Sequence, residues 1–384
     1  MNLGILTSHP IQYQAPLFRA LAKIVNLHVY FVHRLTAQDQ VVSGFGRPFE
    51  WDIDLLSGYR STFLKNYARN PGVHHFFGCD CLDIGNTIYR QKFDAFMVCG
   101  WQLKAYWQAI QACKNKKIPV LVRGDAMLNV RRNPFKESIK KVLYKKFFAQ
   151  FDRCLYVGQR NREYFLHYGV SPEQMYFSPN CIDDERFRRN SRMNLKQRDV
   201  FRLQLGIGKD RYLLLFVGRF VSEKRPMDLI RALECLPSSH QSACVAFVGS
   251  GPLEHQLRNS AKKFPGRIFF LGFKNQSELP RYYAASDLLV LPSQAETWGM
   301  VVSEAMACST PAVVSNTVGC AVDLIDERQT GRSYPVGDIS KLAKCIQKMM
   351  TLRTNHIRAG IEKRMENYTV KSAVRGIRQT LQSL

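Results

Sequence analysis

Residues 292–308 read Pro-Ser-Gln-Ala-Glu-Thr-Trp-Gly-Met-Val-Val-Ser-Glu-Ala-Met-Ala-Cys, and they indicate how the surrounding chain is built. An apolar run at residues 287–291 enters this stretch and predicts a buried strand. After a polar turn, residues 299–308 are apolar on nearly every side of a helix, so this helix is expected to be buried. The stretch therefore predicts a strand, a turn and a buried helix in succession.

Two carboxylates frame the predicted helix, with Glu296 just ahead of it and Glu304 in its second turn. A buried glutamate has to be paired or hydrogen-bonded, because burying it alone costs several kcal/mol. No lysine or arginine lies between Asp287 and Glu327 to pair with it locally. The partner of such a glutamate must be a distant part of the protein or a ligand rich in hydroxyl groups.

The amides at the start of this helix form a natural phosphate site, because the first N–H groups of a helix lack an intrahelical acceptor. A carboxylate on either side suits a sugar nucleotide, with the ribose diol on Glu304 and the sugar hydroxyls on Glu296. The diphosphate would then lie on the segment Thr297, Trp298, Gly299, Met300 and Val301. The alternative is a core helix whose glutamate is satisfied by a backbone turn, and this stretch alone leaves both interpretations open.

Three further segments carry related patterns. They are Val217-Gly-Arg-Phe-Val-Ser-Glu-Lys-Arg-Pro226, Val248-Gly-Ser-Gly-Pro252 and Thr330-Gly-Arg-Ser-Tyr-Pro-Val-Gly-Asp338. With the Glu-x7-Glu pair, and in this order, they resemble the signature of the retaining GT-B glycosyltransferases of family four (glycosyl transferases group 1). The resemblance covers about residues 211–340. It implies a GT-B fold, in which two Rossmann-like domains with parallel sheets face a cleft, and a UDP-, GDP- or other nucleoside-diphosphate-sugar donor without a further cofactor.

Two cations follow the first predicted strand of the second half, Arg219 and Lys224. They suit a diphosphate, since arginine offers a forked donor and lysine a point charge. With Glu296 they are the candidate catalytic residues here, and Gly218 belongs to the same donor-binding turn.

The next two strand ends complete the predicted donor site. Gly249 and Gly251 permit a close approach of the backbone to the nucleotide. They are not a dinucleotide fingerprint, because Glu254 occupies the third glycine position. The resemblance places the base on backbone groups at Phe273 and Lys274 and leaves its identity open.

Short apolar runs alternate with helix-length segments in both halves, which predicts an α/β protein with parallel sheets. The polar stretch at residues 183–211 is rich in arginine and separates the halves. We therefore expect an acceptor-binding domain at residues 1–190 and a nucleotide-sugar-binding domain at residues 191–370. By the resemblance, residues 371–384 form a last helix that crosses back to the first domain.

Polar residues follow two predicted strands of the first half, where ligands of such sheets bind. His9 and Gln12 follow the first strand and are candidate acceptor contacts, although a histidine near a proline is often structural. Many family members have a glycine-rich loop there, which this chain lacks. Asp125 follows another strand, and the resemblance implies a catalytic contact with the transferred sugar; the alternative is a helix cap.

Composition narrows the class of protein. The chain has 384 residues, enough for two domains, and no apolar run long enough for a membrane span. Its start lacks a basic signal region, and its eleven scattered cysteines suit a reducing compartment, so a cytoplasmic location is expected. The spacing of His74, His75, Cys79 and Cys81 does not fit a zinc site, and no metal is predicted.

The net charge of +24 indicates an anionic partner. Residues 131–147 hold seven basic residues and one acid. Phe135, Ile139, Val142, Leu143 and Phe147 share one helical arc there. This pattern predicts contact with an anionic membrane surface, alongside packing of the apolar arc on the domain.

The function that these observations favour is transfer of a sugar to a hydroxyl, with retention and without a metal. Residues 7–19 and 51–59 resemble bacterial family members of surface-polysaccharide assembly, which implies a glycan or lipid-linked acceptor at the cytoplasmic face of the inner membrane. The alternatives are a GT-B sugar-nucleotide epimerase or hydrolase and, on charge alone, a nucleic-acid-binding protein. The last lacks a recognised module or aromatic residues between its basic ones.

Overall fold

A computed structural model describes residues 1–37, 41, 46–128, 134–193, 195–352 and 354–384. The chain forms two compact units. The first comprises Met1–Leu35, Asp54–Ile182 and Thr369–Leu384, and the second comprises Thr36–Ile53 and Asp183–Tyr368. The division therefore differs from the expected boundary at residue 190 in two places, because residues 36–53 and 183–190 both belong to the second unit.

The first unit is built on a parallel sheet, as the alternating apolar runs predict. Its strands within the described ranges are β1 (Asn2–Thr7), β2 (Asn26–Phe31), β3 (Arg60–Phe63), β4 (Ala95–Val98), β5 (Val120–Gly124), β6 (Arg153–Tyr156) and β7 (Met175–Phe177). Their order in the sheet is β3-β2-β1-β4-β5-β6-β7, and every pair is parallel. The order reverses direction between β1 and β4, which is where ligands of such sheets bind.

Six helices among the described residues cover this sheet. They are α1 (Ala15–Ala22), α2 (Asp83–Arg90), α3 (Lys104–Asn115), α4 (Pro134–Phe148), α5 (Gln159–His167) and a last helix, Val370–Gln382. The last helix packs beside α1 and β7. There the Ser178 hydroxyl donates to the carbonyl of Ala373 at 3.1 Å, and Gly376 lies directly against the Phe177 carbonyl.

The second unit repeats the plan with a six-stranded parallel sheet. Its strands are β8 (Tyr212–Val217), β9 (Ala243–Val248), β10 (Ile268–Gly272), β11 (Leu288–Leu291), β12 (Ala312–Ser315) and β13 (Gly331–Tyr334). They lie in the order β10-β9-β8-β11-β12-β13, which reverses between β8 and β11. The strand and the buried helix predicted from residues 287–308 are β11 and the helix Met300–Ala307.

Nine helices accompany this sheet in the described part of the chain. They are α6 (Asp184–Asn190), α7 (Leu195–Gln204), α8 (Met227–Glu234), α9 (Glu254–Ala261), α10 (Leu279–Ala285), α11 (Met300–Ala307), α12 (Ala321–Leu324), α13 (Ile339–Met350) and α14 (Thr354–Met365). The helix Val370–Gln382 of the first unit is α15.

The arginine-rich stretch 183–211, which the sequence indicated as the separation of the two halves, is folded in its described part. It contains the two helices α6 and α7. Arg202 of α7 is fully buried and donates to the carboxylate of Asp287 at 2.7 Å, and Arg198 donates to the other oxygen at 2.6 Å. These arginines thus bind the residue that precedes β11, because a buried cation requires such partners.

Candidate functional site

The candidate site lies in the second unit, where the strand order reverses. Polypeptide leaves the carboxyl ends of β8 and β11 in opposite directions, which opens a crevice between the two following turns. The turn after β8 carries Arg219 and Lys224, and the turn after β11 carries Glu296. The fold therefore places the three candidate catalytic residues of this half on two turns beside one crevice.

An ion pair joins the two turns. The Lys224 ammonium contacts a carboxylate oxygen of Glu296, and both side chains are mostly shielded, with 18% of each exposed. A backbone hydrogen bond from the Gln294 amide to the Glu223 carbonyl, 2.7 Å long, holds the turns together. Lys224 ends a short 3-10 helix, Ser222–Lys224, and Arg225 after it adopts a left-handed conformation with φ of 51°. Arg219 lies half-buried in the same turn.

The start of α11 adjoins this ion pair. Gly299 precedes the helix with φ of 98°, which favours glycine, and a Cβ there would lie 2.9 Å from a methyl carbon of Val318. Met300 and Val301 are half-buried, and Thr297 is exposed. Trp298 is buried: its indole donates to the Ser303 hydroxyl at 3.1 Å. Trp298 therefore offers a ligand only its backbone.

Glu304 has the distant protein partners that were one of its two predicted alternatives. It is fully buried, and its oxygens accept hydrogen bonds from the Gln276 amide at 3.2 Å and the Tyr283 hydroxyl at 2.6 Å. Arg186 in turn donates to the Gln276 side chain at 2.9 Å. Sequence reasoning missed Gln276, Tyr283 and Arg186, since nothing in their local patterns marks them as partners of a glutamate on another helix.

The glycine turns interlock with one another. The Gly218 amide donates to the Val248 carbonyl, the Phe220 amide to the Ser250 carbonyl, and the Gly249 amide to the Gly272 carbonyl, at 2.8 to 3.0 Å. A Cβ at Gly249 would overlap the carbonyl oxygen of Gly218. One at Gly251 would lie 2.7 Å from the Phe220 nitrogen. The close approach that these glycines permit in the structure is thus between neighbouring turns of the protein.

The turn after β10 carries Phe273 and Lys274. The Lys274 ammonium lies 3.4 Å from a carboxylate oxygen of Glu278 and 5.4 Å from the centre of the Tyr282 ring. Burial disfavours its charged form, but the contacts with Tyr282 and Glu278 outweigh this and raise the pKa of Lys274. Phe273 is half-exposed and lies against Phe49, with ring centroids 4.4 Å apart.

His9 and Gln12 lie in the first unit, in the turn between β1 and α1. This is the point where the strand order of that sheet reverses. The ring nitrogen Nδ1 of His9 lies 3.0 Å from the Ser8 hydroxyl. The Thr7 hydroxyl donates to Gln14 at 2.9 Å across the turn. His9 and Gln12 are both half-buried. Side-chain hydrogen bonds hold this turn, where many family members have a glycine-rich loop.

Asp125 directly follows β5, two strands away from β1, and its side chain is exposed. Gly124 ahead of it approaches the indole of Trp101, where a Cβ would lie 2.8 Å away. Arg123 is buried and donates to the Pro179 carbonyl at 2.7 Å. Arg123 therefore ties β5 to the segment after β7, while Asp125 remains accessible at the end of the strand.

The basic helix α4 packs through a face that its amphipathic pattern did not indicate. Of the predicted apolar arc, only Phe147 is buried, whereas Phe135, Ile139, Val142 and Leu143 are 49% to 74% exposed. The opposite face packs instead: Glu137 accepts from the Tyr168 hydroxyl at 2.8 Å. The Lys140 ammonium lies 5.1 Å from the centre of the Tyr168 ring. Residues 131–133 of the predicted membrane segment lie outside the described residues.

The cysteine and histidine cluster of the first unit contacts backbone groups. The Cys79 thiol donates to the Gly72 carbonyl at 3.3 Å, and His75 lies 3.1 Å from the Asn70 carbonyl. Burial raises the pKa of Cys81 to about 12. Throughout the described ranges, no three His, Cys, Asp or Glu side chains are grouped to hold a metal ion. Nor does any helix in those ranges have the length and apolar character to span a bilayer.

Known proteins resemble this chain in the sequence of the second unit and in the fold. Residues 197–371 match the family model for glycosyl transferases group 1. A D-inositol 3-phosphate glycosyltransferase from Thermomonospora curvata is 32% identical over 297 residues, which are 73% of this chain and 65% of that protein. Across the first three curated relatives, the matched segments span 31% to 65% of the relative's length.

Two solved structures resemble the whole chain at low sequence identity. Anabaena HepE in complex with UDP superposes with a TM-score of 0.76 at 19% identity, covering 100% of both chains. The lipopolysaccharide outer core galactosyltransferase WaaB superposes with a TM-score of 0.67 at 14% identity, covering 100% of this chain and 99% of that one. These similarities establish the fold. The chain therefore carries a glycosyl transferases group 1 domain within a GT-B fold.

Proposed function

We propose that this protein is a retaining glycosyltransferase that moves a sugar from a nucleoside-diphosphate sugar to an acceptor hydroxyl. The observation that carries the proposal is the Lys224–Glu296 pair, which joins two turns at the strand reversal beside the start of α11. A cation, a carboxylate and helix-start amides in one crevice provide for a diphosphate and for the sugar attached to it. The group 1 domain and the glycosyltransferase relatives support the same reaction.

The chemical step depends on stabilising the leaving diphosphate. Arg219, Lys224 and the amides of Met300 and Val301 would bind its oxygens as the bond to the sugar breaks. Glu296 then exchanges part of its contact with Lys224 for the sugar hydroxyls. In the proposed front-face route, the acceptor hydroxyl attacks from the side of the leaving group. Its proton passes to the departing phosphate oxygen, and because attack and departure share one face, the configuration at the anomeric carbon is retained. The scheme assigns stabilisation of the leaving diphosphate to Arg219, Lys224 and the helix-start amides and includes no metal.

Glu304 has two possible roles in this scheme that the structure makes distinguishable. Contact with the ribose diol would bring a ribose hydroxyl to Glu304 as a donor, and we place it in exchange for the Gln276 amide, which makes the longer of the two hydrogen bonds. Otherwise Glu304 acts as a positioning residue that anchors the loop after β10. We retain the ribose contact as the proposal, because the exchange replaces one hydrogen bond with another and leaves Tyr283 in place.

The acceptor side is assigned to the first unit. His9 and Gln12 at the strand reversal and the exposed Asp125 are the proposed contacts for the acceptor and the transferred sugar. A lipid-linked or growing glycan of the cell surface is the proposed acceptor. The whole-chain structural similarity to WaaB, which is named for lipopolysaccharide outer core synthesis, is compatible with it. The proposed location is the cytoplasmic face of the inner membrane.

The exposed apolar face of α4 supports contact with the membrane. Phe135, Ile139, Val142 and Leu143 follow one another at helical spacing on the exposed side, next to Lys141, Lys145 and Lys146, which are also exposed. Each lysine near an anionic bilayer contributes about 1 kcal/mol, and inserting an exposed leucine or isoleucine adds about 1.5–3 kcal/mol. We therefore propose that this face, the α4 face, docks on anionic lipid.

Vesicle sedimentation tests the α4 face. The wild-type protein should sediment with phosphatidylglycerol-containing vesicles and stay in solution with pure phosphatidylcholine. The double variant Ile139→Ser, Leu143→Ser should lose most of this binding. The control Leu203→Ser, which changes an equally exposed leucine on α7, should not. Equal binding of both variants, or self-association through Ile139 and Leu143 in sedimentation velocity, would count against a membrane role.

Donor binding and turnover test the reaction itself. We expect UDP-, GDP- or ADP-sugars to raise the melting temperature of the wild-type protein, and the best donor to be consumed only when an acceptor is added. Lys224→Ala should lower transfer about a hundredfold, from a loss of about 3 kcal/mol of transition-state stabilisation. Lys263→Ala removes a comparable cation from an exposed pair with Glu234 and serves as the control. Donor consumption without acceptor would instead favour the epimerase or hydrolase.

A further inference from the structure

A segment from the first half of the sequence lies on the donor-binding turns of the second unit. The chain leaves the first unit after Leu35 and re-enters it at Asp54, and the intervening residues belong to the second unit. Its described residues include the stretch 46–53, which contacts the turns that follow β9 and β10. We call residues 46–53 the arm.

Contacts of three kinds attach the arm. The Asp52 carboxylate accepts from the Ser277 amide at 3.1 Å and from the Ser277 hydroxyl. The Glu50 carbonyl accepts from the Asn275 side chain at 2.7 Å. The Phe49 ring lies against Phe273, with their centroids 4.4 Å apart. The attachment is therefore built from specific polar and aromatic contacts along the whole turn after β10.

The other end of the arm reaches the neighbouring turn. A Cβ on Gly46 would lie 3.8 Å from the Cα of Gly251, in the turn after β9. The Arg47 guanidinium lies 5.3 Å from the centre of the Phe273 ring. The arm thus follows the carboxyl ends of β9 and β10, two strands that are adjacent in the sheet.

A nucleotide whose diphosphate lies between β8 and β11 has two directions in which its nucleoside can extend along the sheet. Toward β12, the space beside the α11 start is occupied by protein. There the Gly319 amide donates to the Glu296 carbonyl at 2.9 Å and the Cys320 amide to the Trp298 carbonyl at 2.8 Å. Toward β9 and β10, half-exposed aromatic rings and the exposed Arg47 border the strand ends. Bases stack on such rings, and each stacked base contributes about 1–3 kcal/mol.

We propose that the arm forms one wall of the nucleoside site, with Phe49 and Phe273 as an aromatic platform for the base. Asp52 is a positioning residue, because its bonds to Ser277 hold the platform at the strand ends. This inference rests on the proposed donor site and adds an element that lies about 170 residues or more ahead of the other donor-site residues in the sequence. It assigns the base end of the donor to the arm and the phosphate end to Lys224 and α11.

Calorimetric titration of the full chain separates these two ends. The probes are UDP, GDP and ADP, of which the tightest is kept, and inorganic pyrophosphate. Phe49→Ala should weaken binding of the nucleoside diphosphate about tenfold or more and leave pyrophosphate affinity unchanged. Lys224→Ala should weaken both ligands. Asp52→Asn should weaken binding of the nucleoside diphosphate less than Phe49→Ala does and leave pyrophosphate affinity unchanged. Phe49→Tyr should retain the affinity for the nucleoside diphosphate.

Phe264→Ala is the matched control. Phe264 is a half-buried aromatic ring near the opposite end of β10, and the Arg267 guanidinium lies 5.8 Å from its centre. Phe264→Ala should change neither the affinity for the nucleoside diphosphate nor that for pyrophosphate. The melting temperatures of all variants should show that they are folded. The inference is overturned if Phe49→Ala and Phe264→Ala bind the nucleotide alike, or if Phe49→Ala binds it more tightly, since the arm would then block the site. Failure of the wild type to bind any nucleotide or pyrophosphate would instead refute the donor site itself, and the arm inference with it.

Discussion

The two sheets share one construction but fasten their strand ends differently. In the second unit, backbone hydrogen bonds join the turns after β8, β9 and β10, and glycines allow their close approach. In the first unit, backbone hydrogen bonds also join the turns after β1 and β2, from the Val32 and His33 amides to the Ser8 carbonyl, but side chains add to them. Arg123 bonds to the segment after β7, and the strand-end glycines Gly100 and Gly124 lie against side chains rather than backbone. Backbone fastening requires glycine at fixed positions and so leaves a motif in the sequence. Side-chain fastening can be achieved by many residues and leaves none.

We expect the largest effect on stability from a side chain added at Gly249, where backbone hydrogen bonds join the neighbouring turns. Gly249 has φ of 139°, which alone costs a non-glycine residue about 1–3 kcal/mol, and its Cβ would also overlap the Gly218 carbonyl. Gly249→Ala should therefore lower the free energy of unfolding by about 3–5 kcal/mol, measured by urea denaturation. The overlap is with backbone, which cannot move without breaking the neighbouring turn.

Gly100→Ala in the first unit is the counterpart. Gly100 follows β4 with φ of 122°, but its Cβ would meet only the end of the flexible Gln102 side chain. The loss should be limited to about 1–3 kcal/mol of backbone strain. Equal losses for the two variants would show that the two sheets do not differ in how their strand ends are fastened.

The next effect concerns the buried carboxylate of the second unit. Glu304→Ala would leave the Tyr283 hydroxyl and the Gln276 amide without their acceptor. We expect a loss of about 2–6 kcal/mol in unfolding free energy, from about 1–3 kcal/mol for each of the two unsatisfied groups. Thermal or chemical unfolding measures it, and Glu278→Ala, which changes an exposed glutamate paired with Lys274, serves as the control.

Gln276→Ala then separates the two roles of Glu304. If Glu304 binds the ribose, removing the competing amide should leave nucleotide affinity equal or tighter. If Glu304 only anchors the loop after β10, the same change should weaken nucleotide binding together with Glu304→Ala. Titration with the nucleotide distinguishes the outcomes, and a weaker affinity would contradict a ribose contact made in exchange for the Gln276 amide.

The same difference explains what the sequence could predict. The fold class and the strand and helix at residues 287–308 follow from local sequence patterns, which placed Lys224 and Glu296 on strand-end turns without predicting their contact. The partners of Glu304 do not, because Gln276 and Tyr283 come from the loop after β10 and from α10, and their identity depends on packing. The arm was also missed, since residues 46–53 carry no pattern showing that they leave the first unit.

Helix α4 shows another limit. An amphipathic pattern predicts that the apolar face packs on the domain, yet Glu137 and Lys140 face the Tyr168 ring and hydroxyl instead. The polar face can pack there because its charges find partners among tyrosines, and the apolar face then remains outside. Periodicity identifies two faces of a helix, and it does not identify which of them meets the protein.

The smallest predicted effect is a pH dependence in the first unit. Burial, and secondarily the charge of Arg60, lowers the pKa of His28 to about 4, and its ring accepts or donates hydrogen bonds at 2.9 Å with Thr62 and Tyr30. The unfolded chain binds a proton at this residue near pH 6.5, whereas the folded chain does not until about pH 4. The stability from neutral His28 is therefore complete above about pH 6.5 and falls as the pH drops toward 4. Since the site is partly screened, we expect about 1–2 kcal/mol over this window. Unfolding free energies of the wild type and His28→Gln should converge as the pH falls; parallel curves would show that His28 titrates normally in the folded sheet.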